Sequence, residues 1–92
     1  SPRSRSLLQG WMKDCATGKN RLRSIVPLGW PAGFKTGTGL NGTTNDLAVI
    51  WPPGRAPILM AVFSTGSPLS GSRREAVVAE VGRIVLLACQ EP

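Results

Sequence analysis

Two short apolar runs constrain the fold of this chain more than any other feature. The first is D-L-A-V-I-W at residues 46–51, and the second is P-I-L-M-A-V-F at residues 57–63. Each has the length of a β-strand, and P-P-G-R between them favours a turn. Both runs are nearly continuous in apolar residues, which is typical of strands buried on both faces. A chain of 92 residues is too short to cover both faces, so we expect part of the cover to come from outside it.

A third strand precedes these two. Strand signals run over residues 32–38, and Asn41-Gly42 after them is a strong hairpin-turn pair. Three strands joined by two short connections predict a three-stranded antiparallel meander. Because helical patterns precede and follow the strands, the predicted fold class is α+β, or a piece of an α/β sandwich.

Two capping boxes mark the predicted helices. S-L-L-Q at residues 6–9 opens an N-terminal helix, which we expect over about residues 6–16. S-R-R-E at residues 72–75 opens a C-terminal helix, which we expect over about residues 73–89, packed on the sheet. Its apolar stripe consists of Val77, Val78, Val81, Ile84, Val85 and Ala88. No linker or repeat divides the chain, so we treat residues 1–92 as a single segment.

The chain is strongly basic. Its net charge is +6, and six of its eleven basic residues lie within the first 23 positions. A basic cluster of this kind can attract nucleic acid. The alternative is a solvated face or a contact with an acidic partner, which we favour because residues for base stacking are few: three Trp, two Phe and no Tyr. The longest apolar run has strand length, far below the ~18 residues of a membrane span. Neither nucleic acid nor a membrane is therefore an expected partner.

Histidine is absent from this sequence and cysteine is sparse. Cys15 and Cys89 do not form a C-x-x-C pair and have no neighbouring ligands, so we expect no metal site and no cofactor. Each lies near the end of a predicted helix, which suggests buried free thiols. A disulfide between them in an oxidising compartment is the alternative. Without histidine, neither a Ser-His-Asp nor a Cys-His arrangement can form within the chain.

The stretch G-F-K-T-G-T-G-L-N-G-T-T-N-D, residues 33–46, is the richest in candidate chemistry. It contains a formal match to G-x-G-x-x-G, but a dinucleotide site needs a helix after that motif and an acidic residue ~20 positions later. Here a strand follows, and residues 57–66 contain no carboxylate. A Walker loop needs Gly-Lys-Ser/Thr, and Phe34 occupies the place of that Gly. We therefore reject nucleotide binding.

What remains is Lys35-Thr36-Gly37 near the end of a strand, the K-T-G element of penicillin-recognising serine enzymes. A lysine and a hydroxyl on a strand beside a cleft can hold a carboxylate through charge-assisted hydrogen bonds. Gly37 has no side chain, so a ligand can approach the strand edge. The backbone N–H of Thr38 can point at a developing oxyanion. Taken alone, the motif is short, and its alternative interpretation is an exposed lysine near a turn.

The segments around K-T-G extend the pattern. They are L-R-S-I-V-P at 22–27, G-W at 29–30, K-T-G-T-G at 35–39 and G-T-T-N-D-L-A-V-I-W-P-P-G-R-A-P at 42–57. L-L-Q-G-W-M with a later T-G, and the last helix with R-R-E, belong to it as well. From about Leu7 to Leu87 the sequence resembles class A serine β-lactamases. The resemblance implies the C-terminal third of such an enzyme, as part of the α/β serine β-lactamase and penicillin-binding fold.

The resemblance also implies a role for each matching residue. Lys35 would bind the substrate carboxylate and tune the electrostatics around the nucleophile, and Thr36 would donate its hydroxyl to that carboxylate. Thr38 would give its backbone N–H to the oxyanion hole. Arg23 sits where some family members keep a second carboxylate-facing arginine, with a surface or scaffold arginine as the alternative. Gly39 would lie where the strand edge meets the substrate side chain.

The nucleophile of this chemistry is not in the chain. The family performs acyl transfer with a serine followed by Lys at the third position, and no serine here has Lys at that offset. No Ser-Asp-Asn motif is present, and none of the five acidic residues has the context of the deacylating base. We therefore expect β-lactam hydrolysis only when an upstream segment of the same protein supplies the serine, and no activity from the isolated chain.

A catalytically inactive penicillin-binding or interaction domain of the same fold is the runner-up. The resemblance further implies a periplasmic or secreted protein. The first residues do not themselves have the pattern of a signal peptide.

Overall fold

The computed structural model describes residues 1–90 and has the predicted α+β order of elements. The elements are α1 Pro2–Lys13, a 3-10 turn Leu22–Ile25, β1 Ala32–Gly39, β2 Thr43–Ile50, β3 Ile58–Ser64 and α2 Gly71–Gln90. The strands form one antiparallel sheet in the order β1-β2-β3, which confirms the predicted meander. Gly42 in the first hairpin turn has a φ of 63°, the left-handed conformation for which an Asn-Gly pair is suited.

The hydrophobic core lies on one face of the sheet. Side chains alternate between faces along a strand, and the register places Phe34 opposite Ala48 and Ala48 opposite Met60. The 3-10 turn and α2 cover this face. The buried cluster between them consists of Leu22, Phe34, Ala48, Ile50, Met60, Val78 and Leu86. Three successive strands thus contribute to the same core as the C-terminal helix.

The opposite face of the sheet is covered only in part. Helix α1 packs on it beside β1, where a Cβ on Gly33 would lie 2.9 Å from the Cβ of Met12. On β3, Leu59 and Phe63 point to this face and remain 81% and 71% exposed. Within residues 1–90, the expected burial on both faces is therefore met at Val49 of β2, which is 5% exposed on this face, but not on β3. An apolar groove of about 500 Å³ remains between α1 and the open parts of β2 and β3.

Helix α1 begins four residues earlier than predicted. The Ser1 hydroxyl caps it by accepting a hydrogen bond from the N–H of Ser4 at 3.1 Å. Pro2 stands in the first turn, where a missing N–H costs nothing and the fixed φ favours the helix. Ser6 lies inside the helix, so the capping box predicted there is wrong.

Helix α2 also begins earlier than predicted and faces the core with a different line of residues. The Ser70 hydroxyl accepts from the N–H of Arg73 at 3.4 Å, so the capping box predicted at Ser72 is wrong. Of the six predicted stripe residues, only Val78 is buried. The buried line is Val78, Gly82 and Leu86, at a spacing of four residues. No helix within residues 1–90 is long and apolar enough to span a membrane.

The two cysteines differ from the expectation of buried thiols. Both are free, Cys15 is partly buried and Cys89 is exposed. Cys89 lies on the last turn of α2 and is exposed, so the prediction of burial is wrong for this residue.

Candidate functional site

The strand that carries K-T-G is an edge strand in the described part of the chain, since only β2 pairs with it. The N–H of Trp51 donates to the carbonyl of Pro31 at 2.9 Å, just before β1. In an antiparallel ladder, hydrogen-bonded and non-hydrogen-bonded pairs alternate. Counted from Pro31 along the unbroken register, Thr36 and Thr38 therefore direct their N–H and C=O groups away from β2. The predicted oxyanion donor, the N–H of Thr38, thus lies at a free edge.

Lys35 places its ammonium at the same edge. Its side chain is exposed, and its Nζ donates a hydrogen bond to the outward carbonyl of Thr36. The register puts Lys35 opposite Leu47, on the face of the sheet that α1 covers only in part. A positive charge and the outward N–H of Thr38 thus sit on one strand edge, three residues apart.

The Thr36 hydroxyl belongs to a chain of polar groups from the loop after α1. It shares a hydrogen bond of 2.8 Å with the hydroxyl of Thr17, and the Cys15 thiol lies 3.2 Å from that same hydroxyl. The hydrogen bond with Thr17 lowers the pKa of the Cys15 thiol, against the opposing effect of partial burial. Gly18 has a φ of 79°, and a Cβ there would lie 2.6 Å from Cγ2 of Thr36. A glycine at this position lets the loop approach the K-T-G strand.

The two glycines of K-T-G-T-G differ in their surroundings. A Cβ on Gly37 would make only ordinary contact, 3.7 Å from the Cβ of Asn45. A Cβ on Gly39 would lie 3.1 Å from the Cβ of Thr43, which is a tight contact. Gly39 is therefore favoured by packing within the hairpin. Nothing in residues 1–90 requires glycine at position 37.

A second arginine, which the sequence interpretation missed, reaches this strand. Arg21 is 7% exposed, and its Nη2 donates to Oγ1 of Thr38 at 2.6 Å. Its Nη1 donates to the carbonyls of Gly37 and Asn45 at 3.3 and 3.1 Å. Its Nε forms a salt bridge of 3.0 Å with Glu75 of α2. A nearly buried guanidinium thus lies against the K-T-G-T segment, and no motif in the sequence distinguishes Arg21 from Arg23.

Arg23 has a different environment. Its guanidinium lies 4.5 Å from the centroid of the Phe34 ring. It also donates hydrogen bonds to the carbonyls of Cys15 and Thr17. These contacts hold the loop after α1 against the sheet, and the described contacts of Arg23 include none with Thr38. Its predicted role in substrate binding stays a prediction.

Asp46 is a completely buried carboxyl group beneath this region. It lies opposite Thr36 in the sheet and is 0% exposed. Its Oδ2 accepts from the N–H of Leu22 at 3.1 Å, whereas its Oδ1 has no hydrogen-bond partner among the described residues. Burial raises the pKa of Asp46, against the Leu22 hydrogen bond and the charge of Arg21, which lower it. The Asp46 carboxyl thus holds the backbone of Leu22, the residue that follows Arg21, through this hydrogen bond.

The edge of β1 therefore combines a lysine ammonium, threonine hydroxyls, an outward N–H and a supported arginine. Hydrogen-bond donors and positive charge of this kind favour an anionic ligand with a carboxylate. They also suit an oxygen on which negative charge develops.

The chain is similar to known proteins along most of its length. A sequence model of the beta-lactamase enzyme family matches residues 1–88. The beta-lactamase of Bacillus subtilis is 42% identical over 82 residues, which is 89% of this chain and 27% of that protein. The carbapenem-hydrolyzing beta-lactamase KPC of Klebsiella oxytoca is 47% identical over 77 residues, covering 83% of this chain and 26% of that protein.

Solved structures give the same result. An ancestral class A beta-lactamase (GNCA) superposes with a TM-score of 0.90 at 55% identity, covering 96% of this chain and 34% of that one. The W229D mutant of the GNCA beta-lactamase superposes with a TM-score of 0.93 at 52% identity, covering 99% of this chain and 34% of that one. The chain belongs to the beta-lactamase enzyme family, and the resemblance to class A enzymes is confirmed. It spans only about a quarter of the length of these curated relatives.

Proposed function

We propose that residues 1–92 are the C-terminal part of a serine β-lactamase, which hydrolyses the β-lactam amide through an acyl-serine intermediate. Relatives named as beta-lactamases support the activity. The single observation that carries the role of this segment is the outward N–H of Thr38, on the same free edge as Lys35. An upstream segment of the same protein supplies the nucleophilic serine and the base.

In this proposal the strand edge binds the substrate and stabilises charge. The Lys35 ammonium and the Thr36 hydroxyl hold the substrate carboxylate by charge-assisted hydrogen bonds. Gly37 leaves the edge open to the ligand. When the serine attacks the lactam carbonyl, negative charge develops on its oxygen, and the N–H of Thr38 donates to that oxygen. Loss of one such donor costs on the order of 10²–10³ in rate.

The two arginines have separate roles in the proposal. Arg21 fixes the Thr38 side chain through its 2.6 Å hydrogen bond and adds positive charge beside the carboxylate. Arg23 remains a candidate for substrate contact only if its loop rearranges in the complete protein, since its guanidinium stacks on Phe34. Gly39 is proposed to meet the substrate side chain at the end of the strand.

The central experiment compares this chain alone, the upstream segment alone and their mixture in a chromogenic cephalosporin assay. We expect hydrolysis only from the mixture and from the complete protein. Turnover by the isolated chain would contradict the proposal that the nucleophile lies upstream. A complete protein that binds β-lactams without turnover would favour the runner-up, an inactive penicillin-binding or interaction domain.

Substitution of Thr38 tests the oxyanion role in the complete protein. Thr38→Pro removes the N–H without breaking a ladder hydrogen bond, because that N–H points away from β2. We expect kcat to fall on the order of 10²–10³. Thr38→Ala keeps the N–H and loses only the hydroxyl, so it is the matched control and should retain most of kcat. Equal turnover of a folded Thr38→Pro enzyme and its control would refute the assignment.

Substitution of Lys35 tests carboxylate binding. Lys35→Ala removes the charge at the edge, and a charged hydrogen bond contributes ~1.5–3 kcal/mol, or roughly 10–100-fold in kcat/KM. Lys13, an exposed lysine at the end of α1, offers a control through Lys13→Ala. Unchanged kcat/KM in Lys35→Ala would exclude Lys35 from the site.

We also propose that the complete protein is periplasmic or secreted, as the family resemblance implies. Nucleic acid and membranes are not proposed partners. If the basic cluster did bind nucleic acid, that binding should weaken steeply as salt rises.

A further inference from the structure

The Thr36 hydroxyl, which is proposed to hold the substrate carboxylate, has a partner in the loop after α1. Thr17 Oγ1 lies 2.8 Å from Thr36 Oγ1, and Cys15 Sγ lies 3.2 Å from Thr17 Oγ1. The three groups form a continuous chain of hydrogen bonds, which we call the Thr36 relay. Among residues 1–90, Thr17 is the one hydrogen-bond partner of the Thr36 hydroxyl, so the remaining bond of that hydroxyl is available to a ligand.

The number of protons in the relay determines the direction of each hydrogen bond. A threonine hydroxyl has one proton to donate and can accept two hydrogen bonds, and a neutral thiol has one proton. If Thr36 donates its proton to a carboxylate, it has to accept from Thr17. Thr17 has then used its own proton, so it has to accept from the Cys15 thiol. The neutral thiol is therefore the donor that completes the chain toward the ligand.

The other contacts of the thiol favour this direction. The second acceptor within its reach is the Thr17 carbonyl at 3.9 Å, and that carbonyl already accepts from Arg23 at 3.2 Å. A thiolate has no proton to donate, so its formation turns the Thr17 hydroxyl toward the sulfur. Thr17 then no longer donates to Thr36, and the Thr36 hydroxyl donates inward to Thr17. The proton that the ligand needs is thereby withdrawn.

The loop that carries the relay is held against β1. Arg23 donates to the carbonyls of both Cys15 and Thr17. Gly18 has a φ of 79°, and a Cβ there would lie 2.6 Å from Cγ2 of Thr36. Because glycine has no Cβ and adopts this φ readily, the loop can approach the strand this closely. The contact between Thr17 and Thr36 is therefore fixed by the backbone.

We propose that Thr17 is a positioning residue for Thr36, and that the neutral thiol of Cys15 sets the direction of the Thr36 relay. Thr17 turns the Thr36 proton toward the substrate carboxylate, so its effect on the reaction passes through Thr36. This inference rests on the proposed β-lactamase function. It gives the complete protein a KM that depends on the protonation of Cys15.

Charged groups around Cys15 influence that protonation. The elements around it each carry one: Asp14 at the end of α1, Arg23 in the 3-10 turn, Lys35 on β1 and the buried Asp46 on β2. The hydrogen bond with Thr17 is the strongest influence on the thiol pKa and lowers it; partial burial raises it, and the charge of Arg23 lowers it. The net effect is a pKa below the ordinary value of a thiol, so the thiolate forms within the pH range of an enzyme assay.

Steady-state kinetics of the complete protein with a chromogenic cephalosporin test the position of Thr17. Thr17→Val keeps the shape and loses the hydroxyl, so we expect KM to rise about 5-fold with kcat changed less than about 2-fold. Thr17→Ser keeps the hydroxyl and should restore a KM near that of the wild type. Thr65→Val is the matched control, because it breaks another hydrogen bond between threonine hydroxyls, that with Thr43 at 2.6 Å. The control should leave KM unchanged, and a rise in Thr17→Val that Thr17→Ser does not reverse would overturn the proposal.

The dependence of KM on pH tests the direction of the relay. In the wild type, KM should rise about 10-fold as the thiolate forms, with kcat changed less than about 3-fold, because Thr36 loses a hydrogen bond to a charged group. Cys15→Ser supplies a neutral donor that does not titrate and retains every neighbouring charge. Its KM should stay constant between about pH 6 and 9.5. An equal rise in Cys15→Ser would assign the change to another group and overturn the role of the thiol.

Thr17→Val also separates the relay from direct repulsion between a thiolate and the substrate carboxylate. Without the Thr17 hydroxyl the thiolate cannot reverse Thr36, so KM in this variant should change less than about 2-fold over the same pH range. A 10-fold rise there would show repulsion through space and refute the relay. A complete wild-type protein that hydrolyses no cephalosporin would refute the proposed function, whereas hydrolysis with the same KM in the wild type and Thr17→Val would refute the positioning role alone.

Discussion

A single methyl group added at Gly82 should destabilise the protein, although alanine normally stabilises a helix. Gly82 lies in the interior of α2 and is buried against the 3-10 turn. A Cβ there would lie 2.3 Å from Cδ2 of Leu22, about 1.2–1.7 Å closer than normal contact between carbon atoms. Leu22 is 0% exposed, so it has no solvent-filled space into which it could move.

The magnitude follows from two opposing effects. Replacement of glycine by alanine in a helix gains up to ~1 kcal/mol from backbone conformation. Overpacking a close-packed core costs ~1–3 kcal/mol. For Gly82→Ala we therefore expect a net loss of roughly 1 kcal/mol in the free energy of unfolding, measured by urea denaturation of the complete protein. Because Leu22 follows Arg21 in the chain, its displacement should also raise KM for a cephalosporin by a few-fold.

Gly10→Ala is the control for this substitution. Gly10 lies within α1, and a Cβ there would meet nothing within 4 Å among the described residues. Only the helix-propensity gain remains, so the variant should be more stable by up to ~1 kcal/mol. If Gly82→Ala were stabilised as much as Gly10→Ala, the close packing of α2 on the 3-10 turn would be refuted.

Two further predictions concern titratable groups. In a Cys89→Ser background, Cys15 should react faster with iodoacetamide at pH 7 when Thr17 is present than after Thr17→Val. The substitution removes the hydrogen bond that lowers the thiol pKa, so less of the reactive thiolate is present. Equal rates would contradict the interaction. Burial raises the pKa of Asp46 in the folded state, so its contribution to stability is greatest at low pH and is lost as pH rises above about 4. Asp46→Asn can still accept from Leu22 and carries no charge, so its stability relative to wild type should increase with pH over that range in urea titrations; a constant difference would refute the assignment.

The strands could be predicted from the sequence because two local signals agree there. The apolar runs at 46–51 and 57–63 place strands within a few residues of β2 and β3. Short turns connect consecutive runs, so each strand reverses direction and pairs with the strand before it, which gives the meander. The exposed second face of β3 was also foreseeable, since a chain of this length has too few apolar residues to cover both faces.

The helix starts could not be predicted because several serines compete for the cap. Ser1 and Ser6 both lie near the start of the first helix, and Ser70 and Ser72 both lie near the start of the second. A capping box rewards the spacing to Gln or Glu, but the first turn of α1 is formed by exposed residues that the Ser1 cap and Pro2 hold in the helix. The packing of Gly82 against the 3-10 turn fixes the rotation of α2, and no periodicity of valines reports that contact.

The sequence alone also could not show that Arg21, and not Arg23, contacts the K-T-G-T segment. Arg21 and Arg23 are separated by a single leucine, and each has the charge that a carboxylate site needs. The 3-10 turn that starts at Leu22 sends their side chains to different surroundings: Arg21 toward Thr38 and Arg23 onto Phe34. That turn is held by the hydrogen bond from the Leu22 N–H to Asp46 and by burial of the leucine in the core. Which arginine faces the K-T-G-T edge is therefore decided by a buried carboxylate and by a helix 50 residues later in the chain, not by the residues beside it.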